Sequence, residues 1–221
     1  MEILNRYLPD DILRKFRIYN YNHAAEILSL SFPAELNELM EALRGFNIST
    51  DEIIRAGGNE SDIPPKFASV LEPAGWREIR ISGDLLIKFY PRKGNARGRF
   101  SDKAAYQKML ENYIDGHNID FIKGRVALDV EWNSKDQTFD RDLFAMRTYY
   151  ECDIISVGVI ITRDHSLNQL FPKLKIQKKY GASTTWMGKL LPRLDSRRHG
   201  GCPILAIGIT PQSVGEENHE Y

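Results

Sequence analysis

The sequence predicts one mixed β-sheet flanked by helices, in the α/β or α+β class. Three observations carry this. Segments of strand-like spacing alternate along the chain with segments of helical spacing. The run Ile154–Thr162, IISVGVIIT, is almost unbrokenly β-branched, as suits a central strand covered on both faces. Pro203–Ile209, PILAIGI, adds a second buried strand near the C-terminal end.

The 221 residues suffice for one large domain with a sizeable core, expected over 1–211, followed by a polar, acidic and unstructured tail at 212–221. Thirty basic residues balance thirty acidic ones, so any basic surface must be local. No apolar run reaches transmembrane length, and the N-terminal stretch carries acids without an apolar centre, so no signal peptide is expected. Cys152 and Cys202 lack CxxC spacing and adjoin apolar runs. They are expected to be reduced core thiols of a cytoplasmic protein.

Arg14–Tyr21 is expected as the first strand, with Asn22 capping a helix over His23–Leu30. Phe32-Pro33 opens a second helix, with Leu36, Leu39, Met40 and Leu43 at helical spacing and Gly45 as its stop. The polar stretch Asn47–Ser61, which contains Gly57-Gly58, predicts a loop. Pro64–Leu71 predicts a short helix. Trp76–Ile81 and Leu85–Tyr90 predict a hairpin turning at Ser82-Gly83-Asp84.

Lys88–Lys103 carries six basic residues, among them Arg97 and Arg99, against the single acid Asp102, with Phe89, Tyr90 and Phe100 interleaved. Such a segment suits phosphate contacts; a solvated loop is the plainer alternative. Ser101 is expected to cap a helix over Asp102–Tyr113.

Next come two short strands within Asn118–Trp132, NIDFIKGRVALDVEW, joined by a turn expected at Lys123-Gly124. In the second strand Val126, Leu128, Val130 and Trp132 point one way, and Arg125, Ala127, Asp129 and Glu131 the other. A two-residue turn there would set Asp120 opposite Ala127, on the face of Asp129 and Glu131. Three carboxylates on one patch repel one another unless a cation compensates, and Mg²⁺ held by oxygen ligands is the usual solution. A half-exposed strand with an acidic outer face would show the same alternation.

Beyond a polar loop containing Lys135, a helix is expected over Asp140–Tyr150. Its apolar residues lie on more than one face, which suits packing on the sheet and on something else, a second subunit being one candidate. Arg163–Phe171 is expected to be helical. Lys173–Tyr180 is a second basic cluster that includes Lys178 and Lys179. Ser183, Thr184 and Thr185 lead into a helix expected to end at Pro192. Their hydroxyls could cap that helix, or meet phosphates and base edges.

The pattern D-x8-D-x-E on a hairpin, with basic segments on either side, favours phosphodiester hydrolysis. Asp120–Lys123, Arg125–Glu131, Asp142-Leu143-Phe144 and Ile155–Val159, with Tyr21–Leu28 and Pro203–Ile209, resemble type II restriction endonucleases of the BglII/BstYI group. That group lies in the PD-(D/E)XK nuclease superfamily. The resemblance implies a restriction-endonuclease-like α/β core with a central mixed sheet flanked by helices. It implies a homodimer that cuts both strands of a short palindrome in double-stranded DNA and leaves 5′-phosphates. A cognate DNA methyltransferase would act on the same site. Asp120, Asp129 and the Val130 carbonyl would hold Mg²⁺, and Glu131 would orient the attacking water or bind a second ion. Glu131 stands where most of the superfamily has Lys, and this group has Gln or Glu there. Asp129 departs from the Glu that relatives usually carry. Lys135, Ser183, Thr184, Thr185, Arg97, Arg99, Lys178 and Lys179 are candidate DNA contacts. A non-cleaving DNA-binding protein on the same fold is the alternative.

Overall fold

The structure, a computed structural model, describes residues 4–55, 63–94 and 97–215. The chain divides into two compact units, one of Met1–Glu78 with Asp120–Tyr221, the other of Ile79–Ile119.

The first unit opens with a 3₁₀ turn at Leu4–Arg6, then α1 (Asp10–Lys15), β1 (Phe16–Tyr21), α2 (Ala24–Ser31) and α3 (Pro33–Gly45). The first strand is thus shorter than expected, and a helix precedes it. Asn22 does not cap α2. Asn20 does so, its Oδ1 accepting the Ala25 N–H at 2.9 Å while Asn22 and His23 take left-handed φ of 51° and 62°. Pro33 sits in the first turn of α3, where its missing N–H costs nothing. Leu36, Leu39, Met40 and Leu43 are buried as their spacing requires.

The stretch expected to be a loop holds β2 (Ile48–Ser49) and α4 (Thr50–Ile54). Ser49 and Glu52 form a capping box: Ser49 Oγ accepts the Glu52 N–H at 3.1 Å, and Glu52 Oε2 accepts the Ser49 N–H at 2.8 Å. Gly57-Gly58 lies outside the described residues. α5 (Ile63–Leu71) follows, then β3 (Arg77–Arg80).

The second unit contains β4 (Gly83–Phe89) and β5 (Tyr106–Ile114), paired antiparallel as a two-stranded sheet. Two expectations fail here. β4 pairs with β5, not with β3, and Asp102–Tyr113 forms no helix. Leu85 faces Leu110 and Phe89 faces Tyr106. These cross-strand partners override the helical propensity of the segment.

The chain then forms β6 (Asn118–Lys123), β7 (Val126–Glu131), α6 (Thr138–Glu151), β8 (Val157–Arg163), α7 (Met187–Asp195), β9 (Ile204–Ile209) and β10 (Val214–Gly215). The main sheet has the order β1-β9-β8-β7-β6-β3. β7, β8 and β9 run parallel, whereas β1 and β6 join antiparallel. The sheet is therefore mixed, as the sequence predicts. The segment after β8 is a 3₁₀ turn, Leu167–Leu170, rather than a helix over Arg163–Phe171. Helix α7 runs through Pro192 to Asp195. Gln212–Gly215, expected to open an unstructured tail, holds a 3₁₀ turn and β10, which pairs with β2; residues 216–221 lie outside the described residues.

One sheet face packs the main core. Val126, Leu128, Val130 and Trp132 meet side chains of α1, α2, α3 and α5 there. Helix α6 covers the other face, and Gly158 sets how closely. A methyl at Gly158 would lie 2.5 Å from Met146 Sδ and 2.7 Å from Ile204 Cδ1. Cys202 is buried, and burial pushes its thiol up to about 12, whereas Cys152 is exposed rather than in the core. No described helix is long and apolar enough to cross a membrane.

Gly158→Ala should destabilise the protein by about 1–3 kcal/mol through overpacking. Urea unfolding measures this, and an unchanged midpoint would show that α6 can shift without cost.

Candidate active site

The site is built on the β6–β7 hairpin. Its register pairs Phe121 with Leu128 and Lys123 with Val126, so the turn is Gly124-Arg125 and not Lys123-Gly124. Gly124 takes the left-handed φ of 54° that such a turn needs. Moving the turn by one residue moves the pairing by two, which keeps every side chain on its face. Continuing the ladder sets Asp120 opposite Asp129 rather than Ala127.

There the carboxylates replace the backbone ladder. The Asp120 N–H donates to Asp129 Oδ1 at 3.0 Å, and the Val130 N–H donates to Asp120 Oδ2 at 2.9 Å. The N–H and C=O of a strand residue point to the same side. The Val130 carbonyl therefore faces Asp120, while the Glu131 carbonyl turns to β8 and accepts the Thr162 hydroxyl at 2.6 Å.

Asp129 is 3 % exposed and Glu131 7 %. A fourth acid joins them. Asp142 of α6 is fully buried, and one of its carboxylate oxygens lies within 4.8 Å of one from Asp129. The Arg141 guanidinium stands 3.2 Å from Asp142 Oδ1 and 3.8 Å from Glu131 Oε1. That half-exposed cation balances only part of the charge. Burial, then the Asp142 charge, raises the Asp129 carboxyl well above the usual range and moves Glu131 to about 7. Burial also raises Asp120, against the pull of the Val130 N–H. Asp129 Oδ2 and Glu131 Oε2 are buried without a hydrogen-bond partner. Acidic oxygens with open lone pairs fit a hard divalent cation.

The other sequence candidates are placed as follows. Lys135 and Ser183 are exposed neighbours, because Lys135 forms a β-bridge with Thr184 and the Asp136 N–H donates to the Ser183 carbonyl at 2.8 Å. Thr184 and Thr185 do not face outward as expected. The Thr184 hydroxyl accepts from Arg163 Nη2 at 2.7 Å and donates to the Gly181 carbonyl at 2.8 Å, and Thr185 has no exposed surface. Lys179 is engaged in the fold, since its ammonium caps α4 through the carbonyls of Ile53 and Arg55. Lys178 is exposed. Arg97 and Arg99 belong to the second unit and are exposed there.

Two residues escape sequence reasoning as site residues. Asp142 left a signal, because an acid stands in the apolar stripe Phe139, Leu143 and Met146. Arg163 left none, since it ends a strand whose other residues are apolar or small.

A mixed six-stranded sheet flanked by helices defines a restriction-endonuclease-like core. A family model for restriction endonuclease BglII/BglIII matches residues 16–209, and the chain belongs to that family. It is a type II site-specific deoxyribonuclease that acts on DNA. No curated protein matches the sequence.

The raised carboxyls fix the sign of a pH effect on the metal-free protein. Held protonated, they favour the fold most below their unfolded values, and the advantage disappears as pH rises through the folded values. For Glu131 the move from 4.5 to about 7 corresponds to on the order of 3 kcal/mol. In EDTA the melting temperature should therefore fall between roughly pH 5 and 8, and Glu131→Gln should flatten part of that fall. Thermal scans across the window check this; a wild-type midpoint that climbs with pH contradicts it.

Proposed function

We propose that the chain is a Mg²⁺-dependent, homodimeric restriction endonuclease. It cuts both strands of a short palindromic duplex site in the cytoplasm and leaves 5′-phosphates, while a cognate methyltransferase protects the same site. One observation carries the reading: Asp120, Asp129 and Glu131 share one face of a hairpin, and buried oxygens of two of them lack partners. Asp120, Asp129 and the Val130 carbonyl would hold the ion. Bound there, Mg²⁺ supplies charge neutralisation at the scissile phosphoryl group and a lowered pKa for the attacking water.

The chain's own groups do the rest. Asp120 and Asp129 are held in place by each other's strand, so the oxygens facing the phosphate are already oriented before DNA arrives. Glu131 accepts a hydrogen bond from the nucleophilic water and aims it in line with the bond to the 3′ oxygen. That bond breaks, the phosphate stays on the 5′ side, and no covalent enzyme intermediate forms. Lys135, Ser183, Lys178, Arg97 and Arg99 are exposed and suited to phosphate or base contacts. The homodimer is supported by α6, which packs on the sheet yet leaves Phe144 62 % exposed.

With long DNA and Mg²⁺ the protein should yield discrete fragments whose sequenced ends share one palindrome. Asp129→Ala should still retard DNA in a gel yet cut roughly a thousandfold more slowly, a loss of several kcal/mol at the transition state. Cleavage at the parental rate would remove Asp129 from the site. Phe144→Asp should sediment as a monomer and nick rather than break supercoiled plasmid; a dimer that still linearises it would place the interface elsewhere.

A further inference from the structure

Arg163 is the largest fully buried charged side chain among the described residues. It ends β8, and its guanidinium joins three segments. Nε donates to the Trp132 carbonyl at 2.8 Å and Nη1 to Asn168 Oδ1 at 2.9 Å. Nη2 donates to the Thr184 hydroxyl and the Thr185 carbonyl, both at 2.7 Å. The rings of Trp132, Phe171 and Tyr180 surround the group, with centroids 5.9, 5.4 and 4.7 Å from its central carbon. A planar fork with this many fixed partners is a rigid joint, which a lysine cannot reproduce.

The joint connects two places that matter. Thr162 holds the Glu131 carbonyl and Arg163 the next one, so consecutive residues of β8 grip the end of the carboxylate strand. On its other side Arg163 holds Thr184 and Thr185. Their loop is paired with residues 134–136: the Thr185 N–H donates to the Ser134 carbonyl at 2.9 Å, and Lys135 bridges Thr184. Moving one loop therefore moves the other, and exposed Lys135 and Ser183 with them.

We propose that Arg163 is a positioning residue for sequence discrimination, its buried guanidinium fixing where the Lys135–Ser183 loop pair stands relative to the β7 carboxylates. This rests on the reading that Lys135 and Ser183 meet DNA. Polar contacts discriminate between bases only when donors and acceptors stand within hydrogen-bond reach of particular base edges. Loops tied to β7 through one fork hold that geometry; loops released from it do not.

The test uses a duplex library with randomised central positions, cleaved by the full chain in Mg²⁺ and sequenced at the product ends. Wild type should return a fixed set of bases. Arg163→Lys keeps the charge without the fork and should lose roughly tenfold or more in discrimination at one or more positions. Thr184→Val removes one acceptor at the loop end, leaves Arg163 in place, and should relax the same positions; it gives the answer alone if Arg163→Lys does not fold. A merely structural role lowers the amount cut and leaves the base profile unchanged, and that outcome for both variants overturns the proposal. Lys135→Ala and Ser183→Ala separate the two readings. If they alter the profile while Arg163→Lys and Thr184→Val do not, the positioning role alone is wrong. If neither Lys135→Ala nor Ser183→Ala alters it, the loops are not the recognition surface and the proposal falls with that reading.

Discussion

The structure depends on carboxylates crowded onto one buried sheet face. Asp120, Asp129, Glu131 and Asp142 come from two strands and a helix, and three of them are buried. Like charges in a poorly solvated place oppose folding, and here Arg141 and the backbone donors of Asp120 and Val130 offset part of that cost. The parallel strands β7, β8 and β9, with α6 against Gly158, supply the rigid apolar frame that tolerates this cost. Buried acidic oxygens without partners suit a divalent cation.

Arg163 shows the opposite solution to burying charge. Its guanidinium meets four acceptors and three rings, so the charge is satisfied within the fold, although burial still lowers its pKa to about 10. The two sites lie at opposite ends of the same backbone contact, since Glu131 belongs to the acids and Trp132 to the arginine. One charge is satisfied within the fold; the other group keeps buried oxygens without hydrogen-bond partners.

Charge is also unevenly shared between the two units. Ile79–Ile119 holds eight Lys and Arg against four acids, so the remainder of this neutral chain carries a net −4. Within the second unit Phe89, Phe100, Tyr106 and Tyr113 are all at least half exposed. A two-stranded sheet is marginally stable alone.

Local pattern decided much of this protein. The β-branched runs became the central strands β8 and β9, α3 kept its spacing from Pro33 to Gly45, and alternation put Asp129 and Glu131 on the face away from the main core. Those features survive because strand and helix periods bind side chains to faces whatever their neighbours are. The capping box at Ser49 and the acid within the stripe of α6 left signals in residues a few positions apart, although the first lies in a stretch expected to be a loop and the second was not expected in the site. What needed the tertiary structure was pairing between distant segments. Tyr106–Ile114 is a strand because β4 lies beside it, Thr184 and Thr185 turn inward because Arg163 is there to receive them, and Lys179 caps a helix more than a hundred residues earlier in the chain. Local propensity is weak compared with hydrogen bonds and burial offered by a distant partner, and which partner is offered is settled only when the chain has closed on itself.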